Sequence, residues 1–137
     1  MPTLSRWFIK TGLVYFVTSF VLGIVLKIPS ASESWIFMPA MTPVYFHLFM
    51  IGWITQIIVG VSWWMFPAMS RENPRGSERA GWFVYFCINA GLLTRAIGEP
   101  LVYVYPDEPI PLLVSAGLLW LGGIGYAASI WKRVKGK

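Results

Sequence analysis

Charge is scarce in this chain. Asp, Glu, Lys and Arg make up 12% of its 137 residues, roughly half the share usual in soluble domains, and they stand in short clusters between long apolar runs. A water-soluble fold needs charge spread over its surface, so this distribution excludes one. Cysteine and histidine occur once each. A lone Cys87 forms no intrachain disulfide and offers no metal-type Cys spacing; within an apolar run it reads as a buried small hydrophobe. A Gly-rich phosphate loop, a Ser/His/Asp set, CxxC and HExxH are all missing. The carboxylates fall in loops or at helix ends, so no pair of acids stands in the apolar interior.

The net charge of +5 raises nucleic acid as a partner, because basic proteins neutralise phosphates. The cations sit at the chain ends and in one loop, the pattern of membrane topology rather than of a phosphate-binding face, so no nucleic-acid partner is expected.

Apolar residues are abundant, at 56%. A helix crossing the hydrocarbon core needs about 20 mostly apolar residues, and spans are expected at approximately 7–26, 43–66, 81–98 and 110–131. Lys10 lies close enough to the start of the first to snorkel. Proline punctuates the gaps at Pro29, Pro39, Pro67, Pro74, Pro106 and Pro109, while Pro43 and Pro111 suit the first turn of a helix. The first run has a basic start but no A-x-A-like site, and it is long for a signal-peptide core; it reads as a retained helix.

Orientation follows from Lys and Arg. Arg6 and Lys10, then Arg71, Arg75 and Arg79, then Lys132, Arg133, Lys135 and Lys137 share one side. Lys27 and Arg95 are left on the other, with Glu33, Glu99, Asp107 and Glu108. The expected fold is therefore an all-α, integral membrane four-helix bundle in the cytoplasmic (inner) membrane, multi-pass, with N- and C-termini cytoplasmic and the lipid bilayer as its first partner. Trp7, Trp63, Trp64, Trp82 and Trp131 fall near the cytoplasmic ends, and Trp35, Tyr45, Tyr103 and Tyr105 near the outer ends, as interfacial aromatics do. Trp53 and Trp120 lie deeper and are expected to pack between helices. Gly52, Gly60, Gly91, Gly117, Gly123 and Ala127 would permit close backbone approach. The Gly123-x-x-x-Ala127 pair fits packing within or between chains.

Few residues remain for chemistry. His47 sits about one turn inside the outer end of the second span. A titratable group at that depth is a functional candidate, and imidazole is the commonest metal ligand; alternatively it bonds a neighbouring helix or water. Arg95 lies at a similar depth on the third span, since at 1.5 Å per residue both stand about 6 Å inside their helix ends. Its guanidinium suits an anionic group such as a haem propionate or a lipid headgroup, or a pair with Glu99 at i,i+4. Met38, Met41 and Met50 with His47 offer thioether and imidazole donors suited to Cu(I), although Met also fills apolar gaps. Asn89, Gln56, Thr55 and Ser62 fall mid-membrane and are expected to hydrogen-bond across helices.

The stretch His47-Leu48-Phe49-Met50-Ile51-Gly52-Trp53, continuing through Gly60 to Trp64-Met65-Phe66-Pro67, resembles the H-L-x-x-x-G-W…G…(Y/W)-x-x-P pattern of haem–copper oxidase subunit I and its short four-helix relatives. Leu92-Leu93-Thr94-Arg95-Ala96-Ile97-Gly98-Glu99-Pro100 is similar to an R-x-x-x-E-P segment of those short proteins. The likeness covers the second and third spans, about a third of the chain. It implies a haem b with His47 as axial ligand and, by depth alone, Arg95 as propionate partner. Where short relatives often carry H-x-H, this chain has Tyr45 before Phe46-His47, and it lacks the paired histidines and His–Tyr element of an oxygen-reducing centre. Bis-histidine ligation would need two chains, hence a homo-oligomer. The resemblance thus leads to an oxidase subunit I-like protein for electron transfer, haem handling or sensing, with respiratory-chain components as possible partners. A non-catalytic accessory subunit of a respiratory complex and a copper-binding protein are the alternatives.

Overall fold

Without water to bond to, a peptide group must find its partner inside the protein, and a helix does this along a single segment. The computed structural model, which describes residues 1–30, 35–68, 76–131 and 133–134, is all-helical. Four helices are long and apolar enough to cross a membrane: α1 (Thr3–Val25), α2 (Met38–Met65), α3 (Glu78–Val104) and α4 (Ile110–Trp131). Their outer surfaces are apolar, with Val14, Ile97 and Leu113 each more than 60% exposed. Such a surface suits hydrocarbon and not water. The chain is a multi-pass membrane protein.

Three helices begin earlier, or end later, than hydropathy predicts. The first starts at Thr3 rather than near 7, where the Arg6 N–H already bonds the Pro2 carbonyl. The second starts at Met38 in a short 3-10 turn with Pro39 inside it. The third differs most, running over Glu78–Val104 instead of 81–98. At its start Ser77 caps the helix by accepting from the Ala80 N–H, and Glu78 stands in the positively polarised first turn. At its far end the helix continues through Pro100. Proline there removes one i→i−4 bond, yet the segment stays packed, with Gly98 seated against Pro111 and Leu112 of α4. Hydropathy reads Arg95, Glu99 and Pro100 as an ending; packing carries the helix past them.

The helices form two antiparallel pairs, α1 with α2 and α3 with α4, and α2 also packs on α3. Leu4 and Phe8, Val59 and Trp63, and Val84, Ile88 and Leu92 form the core, with Leu119 and Tyr126 of α4 against it. Glycine sets the closest approaches. A Cβ at Gly52 would stand 2.8 Å from the Tyr15 side chain, and one at Gly91 would stand 2.8 Å from Leu119. Gly60 is equally tight against Phe8, whereas Gly117 and Gly123 face open space. The Gly123-x-x-x-Ala127 pair therefore plays no part in packing within the chain. Trp53 packs on Phe16 and Phe49 as expected, but Trp120 is 66% exposed, because α4 turns Ser115, Leu119 and Gly122 toward α3 instead. Trp63, expected at the interface, is buried in the core. Cys87 is buried, as its apolar run implied.

Both chain ends lie at the same end of the helices. Gly81 at the start of α3 meets Leu4 of α1 and Trp63 of α2, and Arg133, just beyond α4, reaches the end of α2. Its Nη2 donates to the Phe66 carbonyl at 2.7 Å and the Trp63 carbonyl at 3.2 Å, while Nε donates to the Pro67 carbonyl at 3.1 Å. The cause is local to α2. Phe66 turns extended ahead of Pro67, with no glycine to cap the helix, and its last carbonyls would otherwise be orphaned. A buried guanidinium satisfies the Trp63 carbonyl and the two just past the helix, and it complements the negative end of the helix.

Most polar side chains in the interior are paired by the same logic, Ser5 Oγ being buried without a hydrogen-bond partner. Gln56 of α2 and Asn89 of α3 exchange amide hydrogen bonds at 3.3 and 3.4 Å. Ser62 and Tyr126 share a bond at 2.8 Å between α2 and α4, Thr11 and Tyr85 one at 2.7 Å between α1 and α3. Ser115 donates to the Gly91 carbonyl. Thr55, expected to reach across helices, donates instead to the Met50 carbonyl of its own helix, five residues back.

Two stability outcomes follow. Arg133→Ala should lower unfolding stability in detergent by about 2–3 kcal/mol, since charge-assisted hydrogen bonds are lost and carbonyls are left buried; an unchanged melting temperature would refute the capping role. In a double-mutant cycle on Gln56→Leu and Asn89→Leu, the coupling should be favourable and about 0.6 kcal/mol or more, read by equilibrium unfolding of the four species; additive effects would show that the amide pair is energetically idle.

Candidate functional site

The sole histidine stands where α2 changes its winding. Met41–His47 is α-helical, Leu48–Thr55 is a π-helix, and Gln56–Met65 is α-helical again. The Thr55 hydroxyl bond to a carbonyl five residues back matches the wider π register. Such insertions are rare and cluster at functional sites, because they re-aim the side chains beside them. Here the wide turn holds Gly52, the point at which the Tyr15 side chain presses on the α2 backbone.

The His47 ring is half-buried, and its Nδ1 lies 2.8 Å from the Pro43 carbonyl one turn back. A carbonyl only accepts, so Nδ1 is the donor and carries the proton. That leaves the lone pair of the neutral ring on Nε2. A histidine whose Nδ1–H is held by a backbone carbonyl while Nε2 is available has the ligand form found in metal and haem sites. The same bond also satisfies the simpler expectation of an imidazole tied to its surroundings. Both readings share one geometry.

Arg95 is on α3. Its Nε stands 2.8 Å from Oε1 of Glu99, with the two side chains 22% and 13% exposed. The distance makes an ion pair, but the Nε–H is misaligned with the oxygen and makes no hydrogen bond. The i,i+4 partner anticipated from the sequence is thus the one Arg95 has. It engages through Nε, and the terminal guanidinium nitrogens make no hydrogen bond to other described residues.

His47 and Arg95 do not touch, but the residues one turn beyond each of them share a cleft. Pro39, Ala40 and Pro43 of α2 face Glu99, Val102 and Tyr103 of α3 across a space of about 330 Å³. The Pro43 carbonyl that holds His47 and the Glu99 carboxylate that holds Arg95 belong to residues on its opposite walls. The cleft thus links the settings of the two, and it lies at the end away from the chain termini.

The methionines sit in different settings. Met38 is buried in the 3-10 turn, Met41 is half-buried, and Met50 is 52% exposed within the π stretch. No group of three or more His, Cys, Asp or Glu able to hold a metal occurs among the described residues. Sequence reasoning did not anticipate the π turn, the Nδ1 bond or the Arg133 cap. Only the last had a sequence signal: α2 ends in Trp-Met-Phe-Pro with no capping glycine, so its carbonyls needed a donor from elsewhere.

No family model, curated protein or solved structure matches the chain.

The tautomer is directly checkable. In a ¹⁵N NMR spectrum of the neutral protein, His47 Nδ1 should show the shift of a protonated nitrogen and Nε2 that of an unprotonated one; the reverse assignment would remove the ligand geometry.

Proposed function

We propose that the chain is a four-helix bundle of the cytoplasmic membrane, with both termini cytoplasmic, that binds a b-type haem at a surface between protomers through Nε2 of His47. The carrying observation is the 2.8 Å Nδ1 bond to Pro43, which orients the ring and leaves Nε2 as its lone-pair nitrogen. The π turn immediately after His47 and the likeness to oxidase subunit I both support the reading. The orientation rests on Arg6, Lys10, Arg79 and Arg133 at the terminal end; Arg71, Arg75, Lys132, Lys135 and Lys137, and Glu33 at the other end, lie outside the described residues.

The donor set fits an axial ligand, and the protomer supplies one imidazole. Neither of the clefts described here is lined by His47; on this reading the walls for a flat macrocycle would come from a second copy, which would bring its own His47. A haem ligated by two imidazoles supplies a one-electron couple and no open coordination position, which favours electron transfer over substrate turnover. The protein's own contribution is to fix the imidazole through Pro43 and to keep water away with the exposed apolar side chains of Phe46 and Met50, which lie beside it on α2. Arg95 would offer its terminal nitrogens to a haem carboxylate while Nε stays with Glu99.

The visible spectrum tests this. The protein purified in detergent and reconstituted with haem should show a Soret band that disappears in His47→Ala while helicity is retained; no band, or one indifferent to that substitution, removes the proposal. A second reading has its own support in the Arg95–Glu99 ion pair, which forms within α3 without a ligand. On that reading the chain is a non-catalytic accessory subunit: colourless, and co-purifying with a larger respiratory complex.

A further inference from the structure

A cleft larger than the Pro43–Glu99 space lies on the α1 side of α2. It lies between the end of α1 and the start of α2, with a volume of about 580 Å³, and Phe20, Gly23, Lys27, Thr42, Tyr45 and Phe46 are among its lining residues. The Tyr45 ring lies over Gly23, where an added Cβ would be 3.0 Å away, and this pair forms the floor. The walls are apolar and face outward, with Phe20, Phe46 and Ile24 roughly half or more exposed. At the mouth is Lys27, beyond the last turn of α1.

Lys27 has no ion pair among the described residues, whereas the other cation at this end, Arg95, is taken by Glu99. An ammonium on the rim, hydroxyl-bearing Thr42 and Tyr45 beside it, and an apolar trough running toward mid-membrane together describe a group that is anionic at one end and hydrocarbon at the other. We propose that this cleft binds one anionic phospholipid of the leaflet opposite the chain termini, with its phosphate on Lys27 and an acyl chain along Phe20, Ile24 and Phe46. A lipid with a zwitterionic headgroup carries its own ammonium, which competes with Lys27 for the phosphate; an anionic one does not. The site therefore selects by headgroup charge while its trough accepts either lipid. This inference does not rest on haem binding, although Phe46 borders both the cleft and His47.

Native mass spectrometry of the full chain, released from mixed micelles of phosphatidylglycerol and phosphatidylcholine with identical acyl chains, tests it. One basic side chain near a membrane surface corresponds to about fivefold preference for the anionic lipid. Wild type should retain phosphatidylglycerol by about that factor, Lys27→Gln should retain the two lipids equally, and Lys27→Arg should keep the preference. Lys10→Gln, at the opposite end, should behave as wild type. Equal retention by wild type, or an undiminished preference in Lys27→Gln, overturns the proposal. Should Lys27→Gln fail to fold, Lys27→Met and the salt dependence of the wild-type preference take its place; a preference untouched by salt would overturn it equally.

Discussion

One constraint shapes most of this fold: in hydrocarbon, a polar group left without a hydrogen-bond partner costs several kcal/mol. The backbone meets it by being helical through each of the four spans. Where the helices break register, the protein supplies a substitute. Arg133 reaches from beyond α4 to the carbonyls that α2 leaves open ahead of Pro67. The α3 helix absorbs Pro100 without ending. The Thr55 hydroxyl closes on a carbonyl within the π turn. These are different chemical answers to the same demand, and each ties two segments or two turns more closely together.

The same demand decides how the side chains pair. Gln56 and Asn89 bond each other because neither has water to turn to, and in doing so they fix the rotation of α2 against α3. Ser62 with Tyr126 fixes α2 against α4, and Thr11 with Tyr85 fixes α1 against α3. Apolar packing alone discriminates poorly among helix rotations when lipid is as apolar as the neighbouring helix. The hydroxyl and amide pairs supply the discrimination, and the glycines let the backbones come near enough for them to form. His47 belongs to this scheme: its Nδ1–H goes to Pro43 for the same reason, and the consequence for Nε2 is what makes the residue chemically interesting.

The two ends of the molecule differ in kind. At the terminal end a cation serves structure, since Arg133 is buried and donates to three backbone carbonyls. At the opposite end the charges are few and local: Arg95 is paired within its own helix, while Lys27 stands at the mouth of an open cleft. The two clefts described, one between α1 and α2 and one between α2 and α3, are both at this end. Candidate ligand chemistry collects there, and the terminal end is given to capping and core packing.

Amino-acid order by itself determined the environment, the number of spans and their rough limits, because transfer of about 20 apolar residues into hydrocarbon is a local property summed along the chain. It also located His47 and Arg95 and named Glu99 as a partner, since an i,i+4 pair is set by helix geometry alone. It misplaced the far end of α3, took Trp120 to be packed between helices and Trp63 to be interfacial, and gave Arg133 only a topological role. Each of those depends on which face of a helix meets its neighbour, and hydropathy has no angular resolution when every face is apolar. Tertiary structure decided rotation, register and the π turn, because these are settled by contacts between residues distant in sequence: Tyr15 on Gly52, Gln56 with Asn89, and Arg133 on the end of α2.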